Sequence, residues 1–113
     1  MPEPLEILQG TLDMLILRTL LLGPMHGLGI SDRIKQTTRG VFVVKPGSLF
    51  PALQRLEQNG WIEGEWGESE NNRKAKFYRL TTGGRRQLQS ETEKWNNMAA
   101  LVASILRTTS EKI

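Results

Sequence analysis

Apolar residues recur along the first part of the chain at helical spacing. Leu8, Leu12, Leu15, Thr19 and Leu22 lie 4, 3, 4 and 3 residues apart, which aligns them on one face, and Ile16 widens that face. The pattern predicts a helix over Thr11–Leu22, ended by Gly23-Pro24. A second helix is predicted from His26 to Thr38, with Leu28, Ile30 and Ile34 inward and Asp32, Arg33, Lys35 and Gln36 outward; Arg39-Gly40 closes it. Val41–Val44 is β-branched and apolar and predicts a short strand. Leu49, Leu53 and Leu56 then mark a third helix that stops at Asn59-Gly60. Proline is comfortable only in the first helical turn, so Pro51 implies either that the helix starts near Ser48 as its N-cap, the favoured reading, or that its first turn is distorted.

The period changes after Gly60. Trp61–Trp66 and Ala75–Leu80 are predicted strands of a hairpin, joined by a polar loop over Gly67–Lys74. From Gly84 to Thr108 the helical period returns: Leu88, Thr92, Trp95, Ala99, Val102 and Leu106 are spaced 4-3-4-3-4, with Met98, Leu101 and Ile105 beside them. A helix of about 25 residues, ~37 Å long, exceeds what a small domain needs to cover its core. A stripe repeating every 3.5 residues is the pattern of helix–helix packing. The expected organisation is therefore an α+β, mostly helical chain: residues 1–82 as one domain and residues 83–113 as a dimerisation helix.

Composition narrows the chemistry. The 113 residues suit one small domain with an added helix. Cysteine is absent and His26 is the lone histidine, which removes disulfides, thiolate nucleophiles and Cys- or His-rich metal sites. Ser48 lacks the second glycine of a nucleophile elbow, so neither an enzyme nor a cofactor is expected. The start, MPEPLEILQG, is acidic rather than basic, and the apolar run Met14–Leu22 is interrupted by Arg18 and Thr19. A cytoplasmic chain with no membrane partner is the expectation. Net charge is +3, but residues 31–90 hold 11 Lys and Arg against 6 Asp and Glu, which concentrates the basic charge in the middle of the chain, the stretch that contains the predicted third helix and hairpin.

Helix, helix, short strand, helix, hairpin and long helix is the order of a winged helix-turn-helix, whose third helix enters the major groove while the hairpin lies along the backbone. The polar side of helix three carries Ser48, Pro51, Gln54, Arg55 and Gln58. Gln pairs with adenine and Arg with guanine through two hydrogen bonds each, which makes Gln54 and Arg55 the candidates for base contact. Arg73, Lys74 and Lys76 of the hairpin and Lys45 before helix three are candidates for phosphate. Glu65, Glu68 and Glu70 oppose this and are expected to point away or to pair with Arg73 and Lys74. Those acids also keep open a second class of function, a winged helix that binds protein without reading DNA.

The same residues resemble the PadR family of bacterial transcriptional regulators. The resemblance rests on GTLDMLILRTL at Gly10–Leu20, GPMHG at Gly23–Gly27, GSLFPALQRLEQNGWI at Gly47–Ile62 and KFYRLTTGG at Lys76–Gly84. It implies a homodimeric repressor of the short subgroup, with a single C-terminal helix, bound to a palindromic double-stranded operator. Dimer contacts are then expected from Leu8, Leu12, Leu88, Trp95, Met98, Ala99, Val102 and Leu106. In PadR-like multidrug-responsive regulators a tryptophan of this helix lines a cavity between subunits that takes flat aromatic ligands. Carried to this chain, that implies an effector pocket at Trp95 and Met98, with a small aromatic effector. Two positions depart from the family, which usually has tyrosine where this chain has Leu28 and Phe50. Leu28 reads as core, and Phe50 cannot donate a tyrosine hydroxyl to phosphate.

Overall fold

The computed structural model describes residues 9–108. Helix α1 (Gln9–Leu20) is followed by strand β1 (Met25–His26), α2 (Gly27–Thr37), α3 (Pro46–Gln58), β2 (Ile62–Glu68), β3 (Lys74–Leu80) and α4 (Thr82–Arg107). The strands form one antiparallel sheet in the order β1-β3-β2. The helices before the hairpin, the hairpin itself and the first turns of α4 enclose one core. Ile16 and Leu17 of α1, Ile30 of α2, Leu49, Leu53 and Leu56 of α3 and Ile62 of β2 are all but inaccessible.

Local chemistry sets most boundaries. His26 caps α2: its Nδ1 accepts from the Gly29 amide at 3.1 Å. Thr81 does the same for α4, accepting from the Gly84 amide at 3.0 Å while donating its own hydroxyl to the Gly60 carbonyl at 2.7 Å. That doubly used hydroxyl ties the end of α3 to the start of α4. Gly84 completes the joint, because a Cβ there would collide with the Trp61 carbonyl oxygen.

Four expectations from the sequence are corrected. Val41–Val44 forms no strand, and the third strand comes instead from Met25–His26, which pairs with Tyr78 and Phe77. Left-handed Arg39 and Gly40 turn the chain out of α2, and the segment is held as a loop. The Thr38 hydroxyl accepts from the Phe42 amide at 2.9 Å, and the Ser31 hydroxyl donates to the Val44 carbonyl at 2.8 Å. Helix α3 begins at Pro46, capped by Lys45 without a side-chain bond, so Ser48 lies inside the helix and Pro51 in its second turn. Pro51 withholds an amide from Gly47; both residues are exposed, so water can satisfy that carbonyl. The hairpin strands run further than expected and shorten the loop to Ser69–Arg73, with left-handed Asn72 at its turn. Leu28 is exposed rather than core, since burial on α2 falls on Gly27, Ile30 and Ile34.

Candidate nucleic-acid interface

On α3 the buried residues Leu49, Ala52, Leu53 and Leu56 define the inward side. Gly47, Pro51, Gln54 and Gln58 lie opposite and are exposed, as are Ser48 and Phe50 on the flanks. Gln54 thus stands free on the open face. Arg55 does not. Its Nη2 donates to Asp13 Oδ1 at 2.7 Å and its Nε to Oδ2 at 3.4 Å, a two-pronged pair between α3 and α1. The guanidinium edge that would grip guanine is occupied by a carboxylate 42 residues earlier in the chain.

The basic residues of the hairpin divide in the same way. Arg73 and Lys74 are exposed at the tip and first strand position, with Lys74 Nζ 5.7 Å from the Trp66 ring centre. Lys76 instead donates to Glu57 Oε1 at 2.9 Å and so braces β3 against the last turn of α3. The hydrogen bond to Glu57 holds the Lys76 ammonium above its ordinary pKa, outweighing the cost of desolvation. Burial raises the Tyr78 phenol above its ordinary range, with Lys76 pulling the other way. Arg79 pairs with Glu63 across the strands at 2.8 Å. Among the described residues no ion pair joins Glu65, Glu68 or Glu70 to Arg73 or Lys74, although Glu68 and Lys74 are register partners. The pairing expected for those acids does not form. Lys45 is exposed at the start of α3, close along the chain to Ser48.

The C-terminal helix carries the other set of candidates. Leu88 is buried within the chain's own core, as is Leu12 on α1, so both already have partners inside the subunit. Leu8 lies outside the described residues. Beyond Thr92 the apolar stripe is open: Trp95, Met98, Ala99, Val102 and Leu106 are exposed, along with Leu101 and Ile105. An apolar strip of this length on a solvent-facing helix marks an interaction surface. Trp95 and Met98 lie on it, one helical turn apart. Sequence reasoning missed Asp13 and Glu57, the acids that occupy Arg55 and Lys76. Neither pairing has a local signal, because its partners meet only through tertiary packing. The exposure of Phe50 was open to a helical-wheel reading.

Among the described residues no helix is long and apolar enough to cross a membrane, and no group of three or more His, Asp or Glu is placed to hold a metal ion.

Comparison with known proteins points one way. The family model described as "Transcriptional regulator PadR-like family" matches residues 16–90. An uncharacterised protein of Lysinibacillus sphaericus is 32% identical over 97 residues, covering 86% of this chain and 89% of its own. A transcriptional regulator from Clostridium thermocellum superposes with a TM-score of 0.81 at 29% identity, covering 88% of this chain and 96% of that one. A PadR-like transcriptional regulator from Bacillus cereus superposes at 0.76 with 26% identity, over 89% and 96% of the two chains.

Proposed function

We propose a homodimeric repressor as the function of this chain, which belongs to the PadR-like family of transcriptional regulators. Residues 1–82 serve as the DNA-binding unit and residues 83–113 as the dimerisation unit, through α4. One observation carries the reading: a winged helix with an open polar face on α3 bears a second helix whose apolar stripe is uncovered from Trp95 onward. Covering that stripe with the same stripe of a second copy makes an isologous contact and a two-fold dimer. Two α3 helices then address successive major grooves, about 34 Å apart, and the operator is palindromic.

Gln54 is the principal base-reading side chain, and Lys45, Arg73 and Lys74 hold phosphates, with Ser48 and Pro51 at the groove surface. The ion pairs change the part played by the two other cations. Arg55 fixes the pitch of α3 against α1 through Asp13, and Lys76 fixes the wing against α3 through Glu57. Trp95 and Met98, brought against the partner's stripe, form the site for a small aromatic effector.

Selection of bound sequences from random duplex DNA tests the reading, with an enriched palindrome of half-sites one helical turn apart as the expected result. On that sequence Gln54→Ala costs about 1–3 kcal/mol and relaxes one position, while Lys74→Ala weakens all DNA alike and lowers the salt slope by about 1. Equal losses for both variants on every sequence would refute direct readout by Gln54. The unpaired Glu65, Glu68 and Glu70 favour a second reading, a wing that docks a basic protein. No retardation of any duplex at low salt would select it.

A further inference from the structure

We propose that Phe50, with Leu28 beside it, reads thymine methyl groups in the major groove. The proposal rests on α3 being the groove-entering helix and adds a class of contact that hydrogen-bonding residues do not supply. Leu28 is 61% exposed and Phe50 48% exposed, in the first turn of α2 and the second turn of α3. Gly27 links them. Gly27, the residue before Leu28, is buried, and a Cβ on it would lie 3.1 Å from Phe50 Cε1 and 3.4 Å from Cζ. The ring therefore rests on the first residue of α2 and is held there while its outer side stays open. A ring fixed before binding loses little freedom on contact.

The polar alternatives on this face are few. Arg55 is committed to Asp13, and Gly47 and Pro51 offer no side-chain donor. Only Ser48, Gln54 and Gln58 remain to hydrogen-bond. Lys45 stands exposed at the start of the same helix and suits a phosphate rather than an apolar protein surface. Within the major groove the thymine methyl is the one apolar group on the base edges. A half-site read by Gln54 and Phe50 together is thus rich in A·T pairs, with adenine taken by the amide and thymine by the ring.

Replacing thymine by deoxyuridine removes that methyl and leaves every hydrogen bond. The full chain is first used to enrich a duplex from random sequence, and the enriched duplex is remade with deoxyuridine at each thymine in turn. One or two positions per half-site are expected to lose about fourfold in affinity, the worth of one buried methyl group. Phe50→Ala loses the same factor on the thymine duplex and no longer distinguishes the two bases at one of those positions; Leu28→Ala does so at a neighbouring one. Equal binding of thymine and deoxyuridine at every position overturns the proposal, as does unchanged discrimination in both variants. Should Phe50→Ala fail to fold by thermal melting, the deoxyuridine series on the native chain still decides. Enrichment of no duplex at all removes the DNA reading itself and this inference with it, whereas enrichment without methyl dependence removes this inference alone.

Discussion

Leu88 and Val102 occupy the same stripe of α4, two heptads apart, yet Leu88 is 6% exposed and Val102 48%. The inner segment, around Gly84 and Leu88, is packed into the domain core. From Thr92 to Arg107 every residue except Ala103 is open to solvent. A sustained period thus identifies which side chains share a face and leaves open what covers that face. One stripe closes the domain at one end and offers an unpaired surface at the other.

The contrast can be broken experimentally, beginning where the effect is largest. Leu88→Ala opens a cavity in a filled core and is expected to cost about 2–5 kcal/mol in urea unfolding. A cost near zero would place Leu88 with the outer helix instead. Gly84→Ala drives a methyl group against the Trp61 backbone, and moving α4 to relieve it is expected to cost about 1–3 kcal/mol. Val102→Lys is expected to change the stability of the isolated domain by less than about 0.5 kcal/mol, since the side chain lies outside the core. In sedimentation the native chain is expected to run as two subunits and the same variant as one. A variant that still sediments as a dimer means the stripe is covered by something other than its own copy.

The smallest effect separates the domain from the outer helix by pH. Lys76 has a folded pKa raised above its ordinary 10.5, so its contribution is complete below that value and fades as pH rises through the folded value. Tyr78, also raised, acts in the same direction from its ordinary 10.0 upward. The difference in urea stability between native chain and Lys76→Met is therefore expected to be constant through neutral pH and to shrink under alkaline conditions. A difference that grows with pH would reverse the assigned role of the Glu57 hydrogen bond.

Much of this fold was legible because its elements are governed locally. The long helix, expected over Gly84–Thr108, runs Thr82–Arg107, since its period and its Thr81 cap are both written in adjacent residues. The hairpin was legible for similar reasons, with strands only slightly longer than expected. The third strand was not, because two residues at Met25–His26 carry no period, while the apolar run at Val41–Val44 imitates one. Leu28 was misplaced by counting apolar residues without fixing the phase of α2. The site was less legible than the fold. Arg55 and Lys76 are cations in the sequence, but their engagement by Asp13 and Glu57 depends on how α1, α3 and β3 come together.

The Thr81 hydroxyl, bonded at once to the α4 amide of Gly84 and to the Gly60 carbonyl, clamps the first turns of α4 together with buried Leu88 and makes the rest of the helix a lever. From Leu88 to Leu106 the free arm is about 27 Å, so one degree of tilt displaces its tip by about 0.5 Å. In the proposed dimer the angular precision of that clamp limits how widely the two domains can spread.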